Sequence, residues 1–224
     1  RGDASMTCKI CTSMTKAFAH FLQTATTSNV TSRSTLCSAV RAAVYFSEQL
    51  VNTMLSCKLF LISDKKQNAG LDKAVRVLNQ LNNVLGEILA NVTKFWECGV
   101  PEDSFLMMFL KISQKIISVK SAISNSGMSS SVARLCAFLV HTFPTTSTPL
   151  RVALQQLVTA HTFSCSAAVQ IVQILSDKYE NTQFVVELMK EFVSGDVDGS
   201  RDTSGIKNLA AFITRVSEGL PKMM

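Results

Sequence analysis

Between Ala74 and Phe95 the apolar residues recur at spacings that alternate four and three: Ala74, Leu78, Leu81, Leu85, Ile88, Val92, Phe95. That rhythm places every one of them on a single face of an α-helix about six turns long. A second stripe follows with the same rhythm: Phe105, Phe109, Ile112, Ile116, Val119, Ile123. Between the two, Gly99 is a helix stop, and Pro101 opens the next helix with Glu102 and Asp103 in its first turn. No segment alternates apolar and polar residues as a half-buried strand requires.

The same helical period runs through the rest of the chain. Met6, Ile10, Met14, Phe18 and Phe21 mark a first helix, and Leu36 to Ile62 a long second one. Ser129, Ser130 and Ser131 precede a helix carrying Val132, Leu135, Cys136 and Leu139. Thr148 and Pro149 read as an N-cap followed by proline at the first helical position. Leu150–Val158, Ala167–Leu175 and Phe184–Phe192 are three shorter helices, and Ile206, Leu209, Ile213, Val216 and Leu220 form the last stripe. Nine glycines and four prolines stand where average usage gives roughly 27. A β-sandwich or barrel needs many more such turns. The expected fold is all-α, a HEAT/ARM-like solenoid of antiparallel helix pairs. Pairs such as 72–98 with 101–124 recur at close to the roughly 40–47 residues of HEAT-like units. Residues 1–224 are expected to be one helical-repeat region of a longer chain, with a sub-boundary near 124–130.

The net charge of +6 is uneven: +3 over residues 1–103, +5 over 104–176, and −2 over 177–224. The middle stretch holds five basic residues and no acid. These five, Lys111, Lys115, Lys120, Arg134 and Arg151, form the candidate DNA-contacting set, since phosphate contacts need little more than aligned positive charge. The competing reading is an ordinary buried stretch with few charges of either sign.

Chemical motifs are few. Cys8-x-x-Cys11 with His20 supplies too few ligands for a structural zinc site, and Cys37 is isolated. The seven cysteines, an odd and scattered set, read as free buried thiols of a reducing compartment. None of the three histidines, His20, His141 and His161, joins a cysteine in a nucleophile signature. No phosphate-binding glycine loop occurs. Asp196–Asp202 imitates a calcium loop, but Gly199 is fourth rather than sixth and Lys207 occupies the twelfth position. The sequons at Asn29 and Asn91 and the Arg1-Gly2-Asp3 triplet read as chance. No apolar run approaches the roughly 20 residues of a membrane span. The expectation is a non-enzyme without cofactor, metal, membrane or small-molecule substrate.

Residues 184–224 carry a more specific pattern: FVVELMKEF, an acidic loop, then RDTSGIKNLAAFITRVSEGLPKMM. It resembles the condensin complex subunit 1 family, the HEAT-repeat non-SMC subunit of condensin. The matching positions are Glu187, Lys190, Glu191, Arg201, Asp202, Ser204, Gly205, Lys207, Ala210, Ala211, Phe212, Thr214, Glu218 and Pro221. The loop 195–200 departs from the family pattern, and residues 1–150 carry no matching motif. The resemblance implies a regulatory subunit that binds a kleisin and the SMC ATPase pair, contacts DNA or chromatin, and acts in mitotic chromosome condensation in the nucleus and on chromosomes. The remaining readings are another helical-repeat scaffold, such as a trafficking or transport adaptor, and a helical enzyme with polar groups converging in its core.

Overall fold

The computed structural model describes residues 4–27, 32–57, 60, 69–96, 101–194 and 203–219. Among these residues there is no strand, and eleven helices pack against one another in an all-α, repeat-like fold. They are α1 Ala4–Thr27, α2 Arg33–Leu55, α3 Ala69–Ala90, α4 Val92–Phe95, α5 Asp103–Ile117, α6 Lys120–Ile123 and α7 Ser126–Thr142. α8 Ser147–Ala160, α9 Cys165–Asp177, α10 Thr182–Ser194 and α11 Thr203–Gly219 complete the set. They group into two compact units, Arg1–Ser131 and Val132–Met224.

In the first unit, α1 packs on α3 and α2 packs on α5, so each helix meets the one that follows after a partner, as stacked pairs do. Two ion pairs fix the direction of α2 against α5. Arg41 pairs with Glu102 at the start of α5, and Glu48 pairs with Lys115 near its end, so the two helices run parallel. Both stripes in this unit point inward. Ala74, Leu78, Leu81, Leu85, Ile88, Val92 and Phe95 are all buried, as are Phe105, Phe109, Ile112, Ile116 and Ile123. Each large side chain taken from water in this way stabilises the fold by about 1.5–3 kcal/mol. Trp96, Phe105 and Phe109 add a run of ring contacts at 4.6 and 5.3 Å.

The first stripe does not belong to one continuous helix. α3 ends at Ala90 and α4 begins at Val92. At the break, the Asn91 side chain donates to the Glu87 carbonyl and accepts from Lys94 Nζ. An asparagine amide competes with the backbone in this way and interrupts a helix without shifting its apolar face. Similarly α5 stops at Ile117, and extended Val119 separates it from α6.

Two further boundaries differ from expectation. α7 begins at Ser126, so Ser129, Ser130 and Ser131 lie within it rather than before it. Asn125 Oδ1 accepts from the Met128 N–H at this end, which caps the earlier start. α8 begins at Ser147, directly after a 3₁₀ turn over Pro144–Thr146. Pro149 is therefore in the third position of the first turn, where its missing N–H is one of the unpaired donors anyway.

In the second unit, α10 and α11 each pack against both α8 and α9. The connection from α9 to α10 turns at Glu180, whose φ of 52° is left-handed. Asn181 follows, donating its N–H to the Leu175 carbonyl and accepting from the Phe184 N–H at Oδ1, which starts α10. Phe192 of α10 meets Phe212 of α11 with ring centroids 5.3 Å apart, and both are fully buried.

Two apolar stripes differ from expectation, that of α1 by face and that of α11 in part, since Leu209 and Val216 are buried but Ile206 and Ile213 are not. In α1 the buried line is Cys8, Cys11, Thr15, Leu22 and Ala25, whereas Met6 and Ile10 are exposed. The buried Thr15 hydroxyl donates to the Cys11 carbonyl, which satisfies it inside the core. In α11 the buried line is Asn208, Leu209, Phe212 and Val216, and Ile206 and Ile213 face outward. Leu220 lies outside the described residues.

Candidate functional site

The five basic residues of the acid-free stretch have three different fates. Lys111, Lys120 and Arg134 are exposed and form no ion pair among the described residues. Lys115 is drawn into the contact between α2 and α5, with Nζ 2.8 Å from Glu48 Oε1. This ion pair competes with any phosphate for the ammonium group.

Arg151 is not a surface residue, so its place in the expected DNA-contacting set is corrected: it is 7% exposed, within the second unit. Nε donates to Glu191 Oε1 at 2.7 Å, and Nη1 lies 2.5 Å from Glu187 Oε2. The remaining donors reach Ser147 Oγ at 2.9 Å and Thr148 Oγ1 at 3.1 Å. The Phe184 ring lies 5.9 Å from the guanidinium carbon. A buried cation of this kind is tolerated only because carboxylates and hydroxyls take its donors. The geometry joins α8 to α10 and leaves nothing for a phosphate. Glu187 and Glu191 are one helical turn apart, so a single guanidinium can take both.

The positions that resemble condensin subunit 1 are therefore divided between the interior and the surface where they are described. Glu187 and Glu191 hold Arg151, and Phe212 fills the core. Gly205 is buried, while Lys190, Lys207 and Thr214 are exposed. The Thr214 hydroxyl returns to the Ala210 carbonyl. Ser204 lies in α11, and its side chain is outside the described residues, as are Arg201, Asp202 and Pro221. So are the calcium-like loop, the sequon at Asn29 and the Arg1-Gly2-Asp3 triplet.

One polar anchor in this segment had no sequence signal as a site. Asn208, 8% exposed, accepts from Thr162 Oγ1 at 2.5 Å and donates to the Thr159 carbonyl at 3.1 Å. It ties α11 to the end of α8. A second buried polar link lies in the first unit, where Asn82 donates to Ser131 Oγ and Ser131 donates to Asn83 Oδ1, each at 2.8 Å. Both arrangements join helices through buried side chains and act as structural fasteners.

The thiols are placed for packing rather than reaction. Cys8, Cys11, Cys136 and Cys165 are buried, and Cys37 and Cys57 are half-buried. Burial pushes the Cys11 thiol up to about 11, with Cys8 and Cys57 nearby adding to it. Burial raises Cys8 and Cys165 as well. A thiol so raised is a poor nucleophile and a poor metal ligand at neutral pH. Among the described residues no three histidine, cysteine or acidic side chains come together to hold a metal, and no helix is long and apolar enough to cross a membrane.

At the surface of the first unit, Arg41 stands over Trp96 at 5.5 Å and pairs with Glu102, which also accepts from Trp96 Nε1 at 3.3 Å. The Glu102 carboxyl is held below its usual range by hydrogen bonding to its own backbone and then by Arg41. Tyr45 and Phe46 lie exposed on the same helix as Arg41. Comparison with family models, curated proteins and solved structures finds no match to this chain.

Proposed function

We propose that this chain is part of a non-catalytic helical-repeat subunit of condensin, acting in mitotic chromosome condensation through a kleisin, the SMC ATPase pair and DNA. The observation that carries the reading is the behaviour of residues 184–219. The segment that resembles condensin subunit 1 forms two helices, α10 and α11, each packed against α8 and α9, with Phe192 and Phe212 in contact between them. Its two acidic residues, Glu187 and Glu191, anchor α10 to α8 through Arg151. The all-α repeat-like fold supports it, because stacked helix pairs offer long binding faces to other chains.

In this reading DNA contact falls to Lys111 and Lys120 in the first unit and Arg134 in the second, while Arg151 and Lys115 maintain the fold. ATP turnover belongs to the SMC partners. The protein resides in the nucleus and on chromosomes during division. Rapid degradation of the protein before mitosis tests the proposal in cells. Poorly compacted chromosomes with anaphase bridges are the expected result. Normal compaction and segregation contradict it.

A further inference from the structure

We infer that the outward face of α1 is a docking surface for an amphipathic helix of a partner protein, with acidic residues along one edge of that helix. Met6 is 62% exposed and Ile10 51% exposed. Met14, Phe18 and Phe21, on the same side of the helix, are half-buried. Single exposed apolar residues are ordinary, but five in line make a continuous apolar strip. From Met6 to Phe21 the strip extends about 22 Å, roughly four helical turns. That is the length over which a helix laid alongside presents its anchors at successive turns.

Charge selects the occupant. Lys9, Lys16 and His20 are exposed and lie along one edge of the strip. The other edge passes into the buried line of Cys8, Cys11 and Leu22. No acidic residue occurs anywhere in Ala4–Thr27. A partner helix with acids beside its apolar face is thus favoured on one flank only. A second copy of α1 is disfavoured, since it would set lysines against lysines. A lipid surface is also disfavoured. Two lysines over a helix of this length fall well short of the strongly basic polar face that interfacial helices carry.

The test uses the whole chain and a displayed library of helical peptides about four turns long. Leucines form one face, and the flanking positions are randomised among Glu, Lys and Ser. The expected outcome is enrichment of Glu on one flank only. Met6→Ser with Ile10→Ser weakens the selected peptide about tenfold or more, as loss of two apolar anchors does. Lys9→Glu with Lys16→Glu reverses the flank preference toward Lys. All four positions are exposed, and an unchanged thermal midpoint verifies that the variants fold. Three results overturn the inference: selected peptides indifferent to both double variants, Met6- and Ile10-dependent binding to phosphatidylcholine–phosphatidylserine vesicles with no peptide enriched, or a dimer in sedimentation that Met6→Ser abolishes.

Discussion

Arg151 and Glu191 meet at 2.7 Å between α8 and α10, and the same guanidinium reaches Glu187 one turn away. The contact changes the meaning of the charge pattern. The acid-free middle of the chain finds carboxylates in the acidic segment that follows it, and Lys115 finds Glu48 in the segment before. The excess positive charge is in part neutralised inside the units.

Removing the guanidinium leaves two carboxylates without their cation in a half-buried site. Arg151→Ala is expected to cost about 3 kcal/mol, near the lower end for breaking a buried pair because both glutamates keep some contact with water. Arg151→Met, which fills the space, costs less. Chemical denaturation of the two variants, combined with Glu191→Gln in a double-mutant cycle, measures the coupling. Purely additive effects would show that the pair holds nothing.

The two faces of α11 predict opposite sensitivities. Phe212→Ala opens a cavity beside Phe192 and costs about 3–5 kcal/mol. Ile213→Ala, on the outward face, changes stability by about 0.5 kcal/mol or less. Thermal or urea unfolding of both variants checks the assignment, and equal losses would contradict it.

The described thiols separate into two reactivity classes. Cys37 and Cys57 are expected to react with a maleimide in the native protein, whereas Cys8, Cys11, Cys136 and Cys165 react only on unfolding. pH adds a signed consequence. The folded value of Cys11 is raised to about 11, above its ordinary value of about 8.5. Its contribution to stability is therefore complete below about 8.5 and is lost as pH rises toward about 11. Cys11→Ala should lose less stability than the parent across that window, as read from urea midpoints at stepped pH.

If the exposed basic residues touch DNA, their loss has an electrostatic signature. Lys111→Glu with Lys120→Glu is expected to weaken duplex binding across sequences and to flatten the salt dependence, by about 0.9 in log–log slope per phosphate contact removed. Lys115→Ala has a small effect on stability, below about 1 kcal/mol, since its pair is partly solvent-exposed. Unchanged affinity and slope in the charge-reversed protein exclude this surface as the DNA contact.

The helix content and the inward faces of α3 and α5 were legible because large apolar residues alone define those stripes. The faces of α1 and α11 were not. In α1 the buried line uses Cys8, Cys11 and Thr15, and in α11 the polar Asn208 joins Leu209, Phe212 and Val216, while Met6, Ile10, Ile206 and Ile213 are exposed. The hydrogen bonds that let Thr15 and Asn208 turn inward, to the Cys11 carbonyl and to Thr162 and Thr159, are invisible to a count of apolar side chains. The break at Asn91 was hidden for a related reason, since its side-chain amide joins the backbone at the Glu87 carbonyl without shifting the stripe. Of the candidate site, the spacing of Glu187 and Glu191 was visible, but their shared partner, dozens of residues upstream in α8, was not.

Purification of the full-length tagged protein from mitotic cells tests the central proposal most directly. The account predicts that an SMC pair and a kleisin co-purify with it in near-equal amounts and remain bound after a salt wash. Material that contains neither, recovered under conditions where known SMC complexes stay intact, would contradict it.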